Sequence, residues 1–595
     1  MKQKIHKILT DILSEMGVVG VDPEVEISDA PEHGDYTTNI AMKLSGTLKK
    51  SPTAIGQEIV ERLEKNKALK KEGIGKIDVM PPGFINLFVT DEALLSNLTK
   101  SKALKTKKHT IMVEYAQPNT HKTFHIGHLR NITTGESIVR LLEANGNKVI
   151  RVNYQGDVGL HIAKAMYGLV KYIIDNKNNN SSQSFTQNDL EYVDRQIQQI
   201  ESHPLAERIE LLSKAYVIGN QAFETNLRSK KAVNEINKVI YSKESSGIFS
   251  RYYSLYQQTR QWSLDYFDTL YKKLGTHFDH FYFESEVYEL GKQLVLEGME
   301  KGIFEKSEGA IIFPGKKFGL HNRVFITSEG NPTYEGKDIG LSKLQFGDYH
   351  PDTIIHCVST EQIEYFKVIF EAIARVFPDT RGKEYHLPYG FVQLKSGKMS
   401  SRTGNVVLGE WLLDETKKEI QKILKTGGRA YEKGENDTIA EIASVAAVKY
   451  AFLKVSTTQE IAFDIKESIN LNGDSGPYLL YTYARCKSVM EKYKEKTEDR
   501  RQKTEKQDQT HPINKEEHDL ARLLFYFPEI IEDAGKHFAP NTLCSYLFNL
   551  AQAFNLLYAK HPILGNDLRL MLTEKTATTL KEGLRLLGIE TVERM

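Results

Sequence analysis

The chain has 595 residues, 40% of them hydrophobic and 26% charged, with 79 Lys+Arg against 78 Asp+Glu for a formal net charge of +1. These values exclude a disordered or fibrous protein and point to a soluble globular chain of about three or four domains. The near-neutral balance neither requires nor excludes a polyanionic partner, because a local basic face can sit on a neutral whole.

The chain opens with Ile5, Ile8, Leu9, Ile12, Leu13 and Met16 at helical spacing. PEHGDYTTNIAMKL and the turn-and-strand MPPGFINLFV follow, so a small α+β domain is expected over residues 1–105, closed by the lysine-rich SKALKTKKHT linker. TIMVEYA then reads as a short apolar strand, QPNTHKTFHIGH as a loop, HLRNITTGESIVRLLEANGN as a helix with Gly146 near its end, and KVIRVNY as the next strand. Strand, loop, helix and strand in that order form a right-handed parallel unit, so residues 106–410 are expected to hold a Rossmann-type doubly wound sheet with insertions. DTIIHCVS and HLPYGFVQL supply later strands, and the polar NKNNNSSQSFTQND reads as a mobile insertion. Beyond residue 411 the pattern turns helical: a connecting stem over 411–464, including IAEIASVAAVKYAFLKV, then an all-α bundle over 465–595, including NTLCSYLFNLAQAFNLLYAKH.

Cys357, Cys486 and Cys544 are widely separated and offer neither a disulfide framework nor a Cys-x-x-Cys pair, so no zinc or other bound metal is expected. No apolar run approaches the ~20 residues of a membrane span. MKQKIHKILTDIL is amphipathic without a signal-peptide core, so a cytoplasmic protein without membrane association is expected.

The chemistry gathers in two places. FHIGHLRN puts His125 and His128 at the start of a helix that follows a parallel strand, where backbone N–H groups and the helix dipole favour phosphate. Gly127 between them allows a flat base to approach the backbone, and both imidazoles can donate to phosphate oxygens as charge develops. Structural histidines at a helix start remain the alternative when that motif stands alone. LKSGKMSSRTGNVV adds Lys395, Lys398 and Arg402 on a glycine- and serine-rich loop able to close over a triphosphate.

The pair HIGH and KMSS resembles the signature of class I aminoacyl-tRNA synthetases. VEYAQPNTHKTFHIGHLRN, NYQGDVGLHIAK, YEGKDIG, STEQIEYF, GFVQLKSGKMSSRTGNVV and SGPYLLYTYAR resemble arginyl-tRNA synthetases in particular. PEHGDYTTNIA and PGFINL resemble the N-terminal domain of that family, and GLRLLGIETVERM its usual ending. The resemblance implies an arginine–tRNA ligase that forms arginyl-adenylate from L-arginine and Mg2+-ATP, then transfers arginine to the terminal adenosine of tRNA(Arg), with AMP and pyrophosphate as products. It implies Glu114, Asn119 and Gln362 at the α-amino and carboxylate end of arginine, and Tyr334, Asp338 and Glu284 around the guanidinium. ATP falls to His125, Gly127, His128, Lys398, Met399 and Ser400. Ser401 stands where the second lysine of KMSKS is usual, so Lys122, just before the histidine motif, is assigned the missing cation. His161 receives no role.

By the same resemblance residues 465–595 form a helical anticodon-binding domain, with RCKSVMEKYKEK and TEDRRQKTEK as candidate RNA-tracking runs or ordinary solvated helix faces. The N-terminal domain contacts the tRNA elbow, PEHGDYTTN being a candidate contact or an ordinary loop leading into a helix. A monomer is expected.

Overall fold

The computed structural model describes residues 1–28, 30–98, 109–178, 185–243, 249–395, 407–426, 432, 434–500 and 513–595. The chain forms two compact units, one of Met1–Leu104, Leu471–Arg585 and Glu590–Met595, the other of Lys105–Asn470 and Leu586–Ile589.

In the first unit an antiparallel sheet in the order Glu26–Ile27, Tyr36–Thr38, Phe84–Val89, Ile74–Met80 carries the helices Lys2–Glu15, Ile40–Leu48 and Pro52–Lys65. The apolar stripe of the first helix does what its spacing demands: Ile5, Leu9, Ile12 and Leu13 are buried against Ile55, Ile59, Ile85 and Leu87. Tyr526, from the helix Lys515–Lys536, belongs to the same core.

That shared core has a polar rivet. Asp35 accepts hydrogen bonds from Arg522 Nε at 2.7 Å, Tyr526 Oη at 2.6 Å and the Val89 N–H at 2.6 Å. Arg522 Nη2 donates to the Ser28 and Gly34 carbonyls, and Tyr36 Oη donates to Glu529 at 2.9 Å. In PEHGDYTTN, therefore, Asp35, Tyr36 and Thr38 are buried and point inward, whereas Glu32 and His33 are exposed. The candidate RNA run RCKSVMEKYKEK lies in the helix Gly476–Arg500, where Lys487 pairs with Glu593 at 2.9 Å and Arg485 bonds to Asn555. Most of TEDRRQKTEK lies outside the described residues.

The second unit is built on five parallel strands in the order Glu384–Tyr389, Thr353–Ser359, Thr110–Glu114, Lys148–Gln155, His280–Phe283. The helix Ile126–Ala144 crosses from the first strand to its neighbour and ends at Asn145, followed by Gly146 at φ +83°. That left-handed position favours glycine. HLPYGFVQL is not one strand: it breaks at Gly390, and Val392–Leu394 pairs in parallel with Ile461–Phe463 in a separate ribbon. A methyl group on Gly390 would lie 2.4 Å from the Gln459 carbonyl oxygen, so glycine is required where the two segments part.

Two insertions interrupt the sheet. A bundle of helices, Leu160–Asn178, Gln187–Ile200, Leu205–Thr225, Leu227–Ser242 and Phe249–Lys273, buries its own core of Ile162, Met166, Leu190, Val193, Leu212 and Ile236. The outer parts of NKNNNSSQSFTQND belong to the first two of these helices, and residues 179–184 lie outside the described residues. An antiparallel meander, Glu305–Ser307, Ala310–Phe313 and Arg323–Ile326, separates the helices Glu284–Glu300 and Tyr334–Tyr349. Cys357, Cys486 and Cys544 are buried. Among the described residues no helix is long and apolar enough to cross a membrane.

Replacing Asp35 by alanine strands the buried Arg522 guanidinium without its carboxylate. Removal of one partner from such a pair costs about 3–5 kcal/mol, so Asp35→Ala is expected to lower the first unit's unfolding midpoint in urea, while Glu32→Ala leaves it unchanged.

Candidate active site

Strand order reverses at Thr110–Glu114, which has Lys148–Gln155 on one side and Thr353–Ser359 on the other. Open parallel sheets bind ligands at the carboxyl ends of their strands beside such a reversal. Glu114 ends the first strand and stands level with His356 on the next. The pairing is close: His356 Nδ1 lies 3.5 Å from Glu114 Oε2, and Gln117 Nε2 and Gln345 Nε2 each donate to the carboxylate at 2.6 Å. Burial works to raise Glu114, but the His356 charge and these donors outweigh it and hold the carboxyl below its ordinary range. Burial likewise opposes charge on His356, yet the facing Glu114 pushes it up to about 9.

The loop after Glu114 is strained. Ala116, Gln117 and His121 have φ of +76°, +50° and +61°, left-handed values that residues other than glycine hold only when their surroundings compel it. Asn131 Oδ1 accepts from the Ala116 N–H at 2.6 Å, and Asn153 Oδ1 from the Gln117 N–H at 3.1 Å. The His121 ring is wedged between the Thr120 and Thr259 hydroxyls at 3.0 and 2.9 Å. Desolvation drops His121 to about 3, so it is a neutral strut. Further along, Asn119 bridges to Gly156, and Thr120 N–H donates to the Gly156 carbonyl at 2.9 Å. A methyl group on Gly156 would sit 2.0 Å from Asn119 Oδ1 and 3.2 Å from Glu284 Oε1, so the missing side chain is what lets these two groups converge.

His125 is the N-cap of the Ile126–Ala144 helix. Its ring stacks on that of His128 with centroids 3.7 Å apart, and its backbone N–H donates to His128 Nδ1 at 3.1 Å. This bond makes Nδ1 the acceptor and leaves the proton of a neutral His128 on Nε2. Desolvation, followed by the charges of neighbouring groups that include Lys122, holds both imidazoles below their ordinary value. Gly127 supports the stack, because a methyl group there would press on the His125 ring at 3.0 Å.

Glu114, Asn119, Glu284, Tyr334, Asp338 and Gln362 all line one cavity of about 370 Å³. Their states differ. Glu284 is buried and paired with Lys337 Nζ at 2.7 Å, whereas Tyr334 is 60% exposed at the rim. Asp338 accepts from Tyr365 Oη at 2.7 Å, and burial pushes it up to about 8. Lys122 is exposed and lines an adjoining hollow with His161, Tyr241, Lys337, Glu284 and Tyr334. Lys398, Met399, Ser400, Ser401 and Arg402 lie outside the described residues, while Lys395 reaches toward Asp464 and Glu467 at 3.9 and 3.6 Å.

Sequence reasoning missed His356, Gln345, Ser342 and Glu384, which line the same cavity. One signal was present: Tyr334, Asp338, Ser342 and Gln345 recur at three- or four-residue steps, a polar stripe along one face of the Tyr334–Tyr349 helix. Among the described residues no group of His, Cys, Asp and Glu is arranged to hold a metal ion.

Three family profiles tile the chain: "Arginyl tRNA synthetase N terminal domain" over residues 1–89, "tRNA synthetases class I (R), catalytic domain" over 90–465, and "DALR anticodon binding domain" over 479–595. An arginine–tRNA ligase of Porphyromonas gingivalis is 31% identical over 590 residues, covering 95% of this chain and 94% of its own. One of Treponema denticola is 31% identical over 621 residues, covering all of both chains. Among solved structures, the arginyl-tRNA synthetase of Thermus thermophilus superposes with a TM-score of 0.77 at 23% identity over the full length of both chains. That of Plasmodium falciparum gives 0.77 at 20% identity, covering 100% of this chain and 99% of its own. The profiles, the near-full-length relatives and the shared fold together show that the chain belongs to the arginyl-tRNA synthetase family of class I aminoacyl-tRNA synthetases.

Proposed function

We propose that this chain joins L-arginine to tRNA(Arg) at the cavity beside the strand reversal, consuming ATP and releasing AMP and pyrophosphate. The observation that carries this reading is a cavity lined by buried carboxylates in the same unit as two stacked imidazoles at a helix N-terminus. A guanidinium needs planar, desolvated carboxylates; a triphosphate needs donors and a positive helix end. Both are supplied in one unit.

In the first step the arginine carboxylate attacks the α-phosphorus of ATP in line and pyrophosphate leaves. No side chain serves as nucleophile, so catalysis is positioning and charge stabilisation. His128, neutral and protonated on Nε2, donates to phosphate oxygens, and His125 does the same from the helix start. Lys122 and Lys398 supply cations from opposite sides of the triphosphate, Lys122 replacing the lysine that Ser401 displaces. Magnesium would accompany the triphosphate as its charge partner. Asn119, Gln362 and Glu114 hold the α-amino and carboxylate end, while Asp338, Tyr334 and Glu284 read the guanidinium. In the second step a ribose hydroxyl of the terminal adenosine, the 2′-OH, attacks the adenylate carbonyl. The helical domain binds the anticodon region, the N-terminal domain touches the tRNA elbow, and the protein works as a cytoplasmic monomer.

Pyrophosphate exchange with each amino acid in turn tests the substrate: arginine alone is expected to stimulate it, and only with tRNA present. Stimulation by a different amino acid overturns the assignment. Lys398→Ala is expected to cut the aminoacylation rate by roughly 100-fold or more, the loss typical of removing one donor from a developing charge.

The pH profile follows from Asp338. Its free-state value of about 8 means that arginine, which binds the ionised form, must displace a proton below that pH. The arginine KM is therefore expected to fall as pH rises from 6.5 through 8, by about tenfold, with Asp338→Asn flattening most of the slope.

A further inference from the structure

Four residues of the C-terminal region, Leu586–Ile589, belong to the unit that holds the candidate active site, although their neighbours on both sides belong to the other. They fall within the segment that the anticodon-binding profile matches. Leu586, Leu587 and Ile589 are buried. Two side chains hold this short clip by its backbone. Lys449, on the helix Glu435–Leu453, donates from Nζ to the Gly588 carbonyl at 2.6 Å and to the Leu274 carbonyl. Ser137 Oγ donates to the Leu586 carbonyl at 3.3 Å.

A lysine is an unfavourable residue for that position. It is 1% exposed. Burial, with the charge of Arg140, drops its ammonium to about 7, and the nearby Glu136 offsets this only in part. A methionine would fill similar space without the desolvation, so what lysine brings is N–H donors for two backbone carbonyls. Gly588 has φ +70°, and a methyl group on it would lie 3.2 Å from Lys449 Nζ and 3.7 Å from Glu136 Cγ. The clip backbone therefore runs close against both side chains.

Glu136 and Ser137 sit on the Ile126–Ala144 helix, which begins at the histidine pair. The same stretch of that helix is fastened to the strand that ends in Glu114. The Tyr115 ring lies on Gly135, where a methyl group would come within 2.4 Å of it, and Tyr115 Oη donates to Glu136 Oε2 at 2.7 Å. Thr276 Oγ1 and Arg140 Nε also donate to the Glu136 carboxylate, each at 2.6 Å. An α-helix rises 1.5 Å per residue, so Glu136 and Ser137 stand roughly 12–14 Å from His128 along one stiff rod. A lengthwise displacement at one end is passed to the other.

We propose that Lys449 is a positioning residue for adenylate formation: by seating the Leu586–Ile589 clip against Glu136 and Ser137 it fixes the lengthwise position of the Ile126–Ala144 helix, and with it the histidine pair. This rests on the reading of that pair as donors to the phosphates. It makes a segment of the anticodon-binding region part of the catalytic unit. Because the histidines act on charge that develops in the transition state, a loosened clip lowers kcat. The arginine KM holds, because Glu114, His356 and Gln345 brace the cavity among themselves.

The test is arginine-dependent pyrophosphate exchange by the full-length protein with tRNA, well below the melting temperature of each variant. Lys449→Met is expected to lower kcat by about tenfold, a fraction of the roughly 100-fold that outright loss of one transition-state donor causes. The arginine and ATP KM stay within about twofold. Ser137→Ala, which removes one weak bond of the clip, is expected to lower kcat by about threefold. In a His128→Asn background, Lys449→Met is expected to lower kcat by less than about threefold more, since residues that act through one another are not additive. A kcat within about twofold of wild type in folded Lys449→Met overturns the proposal. A full tenfold loss in the His128→Asn background also overturns it, being what a smaller folded fraction alone produces. Should Lys449→Met fail to fold, Ser137→Ala decides alone: a kcat lowered in wild type and not lowered again in the His128→Asn background supports the proposal, and an unchanged kcat overturns it. A wild-type protein without arginine-dependent exchange sinks the reading of the histidine site itself, an outcome separate from all of these.

Discussion

Glu114 cannot be buried alone. An ionised carboxylate at the end of a sheet strand needs donors, and the catalytic unit supplies them from three directions: Gln117 from the next turn, Gln345 from the Tyr334–Tyr349 helix, and His356 from the neighbouring strand. These contacts tie the first strand to the later half of the chain at the point where strand order reverses. The cavity is the space that this convergence leaves open.

The strained loop follows from the same demand. To bring Gln117 back onto Glu114 only three residues later, the chain turns through left-handed values at Ala116 and Gln117. Asn131, on the helix that begins at the histidine motif, and Asn153, on the adjacent strand, hold the turn by accepting its backbone N–H groups. Asn131 also donates to the Cys357 carbonyl at 3.0 Å. The histidine pair and the cavity are thus positioned by one hydrogen-bonded frame, which suits chemistry that works by placement instead of by a reactive side chain.

The first unit solves a related problem with different parts. Asp35 and Arg522 are far apart in sequence yet share one buried bond, with Tyr526 closing the network. A motif with polar residues suggested a surface for RNA, and the fold turned half of it inward. The reason is local: the sheet strand Tyr36–Thr38 has one face on the core, so alternate residues of the motif must point there. The run itself does not say which ones.

Periodicity made much of the architecture legible: the amphipathic first helix, the alternation of strand and helix from Thr110 onward, and the helical C-terminal region all follow from spacing of apolar residues. The five-helix insertion was not legible as a separate core, because Met166, Val193 and Ile236 look like any helix face until they meet. HLPYGFVQL read as one strand because a strand break at a glycine leaves no trace in hydropathy. In the site, the family resemblance named the six candidate arginine contacts, and the fold lines one cavity with all of them. What the sequence by itself determined was the family, the order of the elements and the residues that carry recognisable motifs. Only the tertiary structure decided that His356 faces Glu114, that Lys337 pairs with Glu284, and that the Tyr365 hydroxyl meets Asp338. Those states depend on distances between strands and helices remote in sequence, and on how completely water is excluded from each pair.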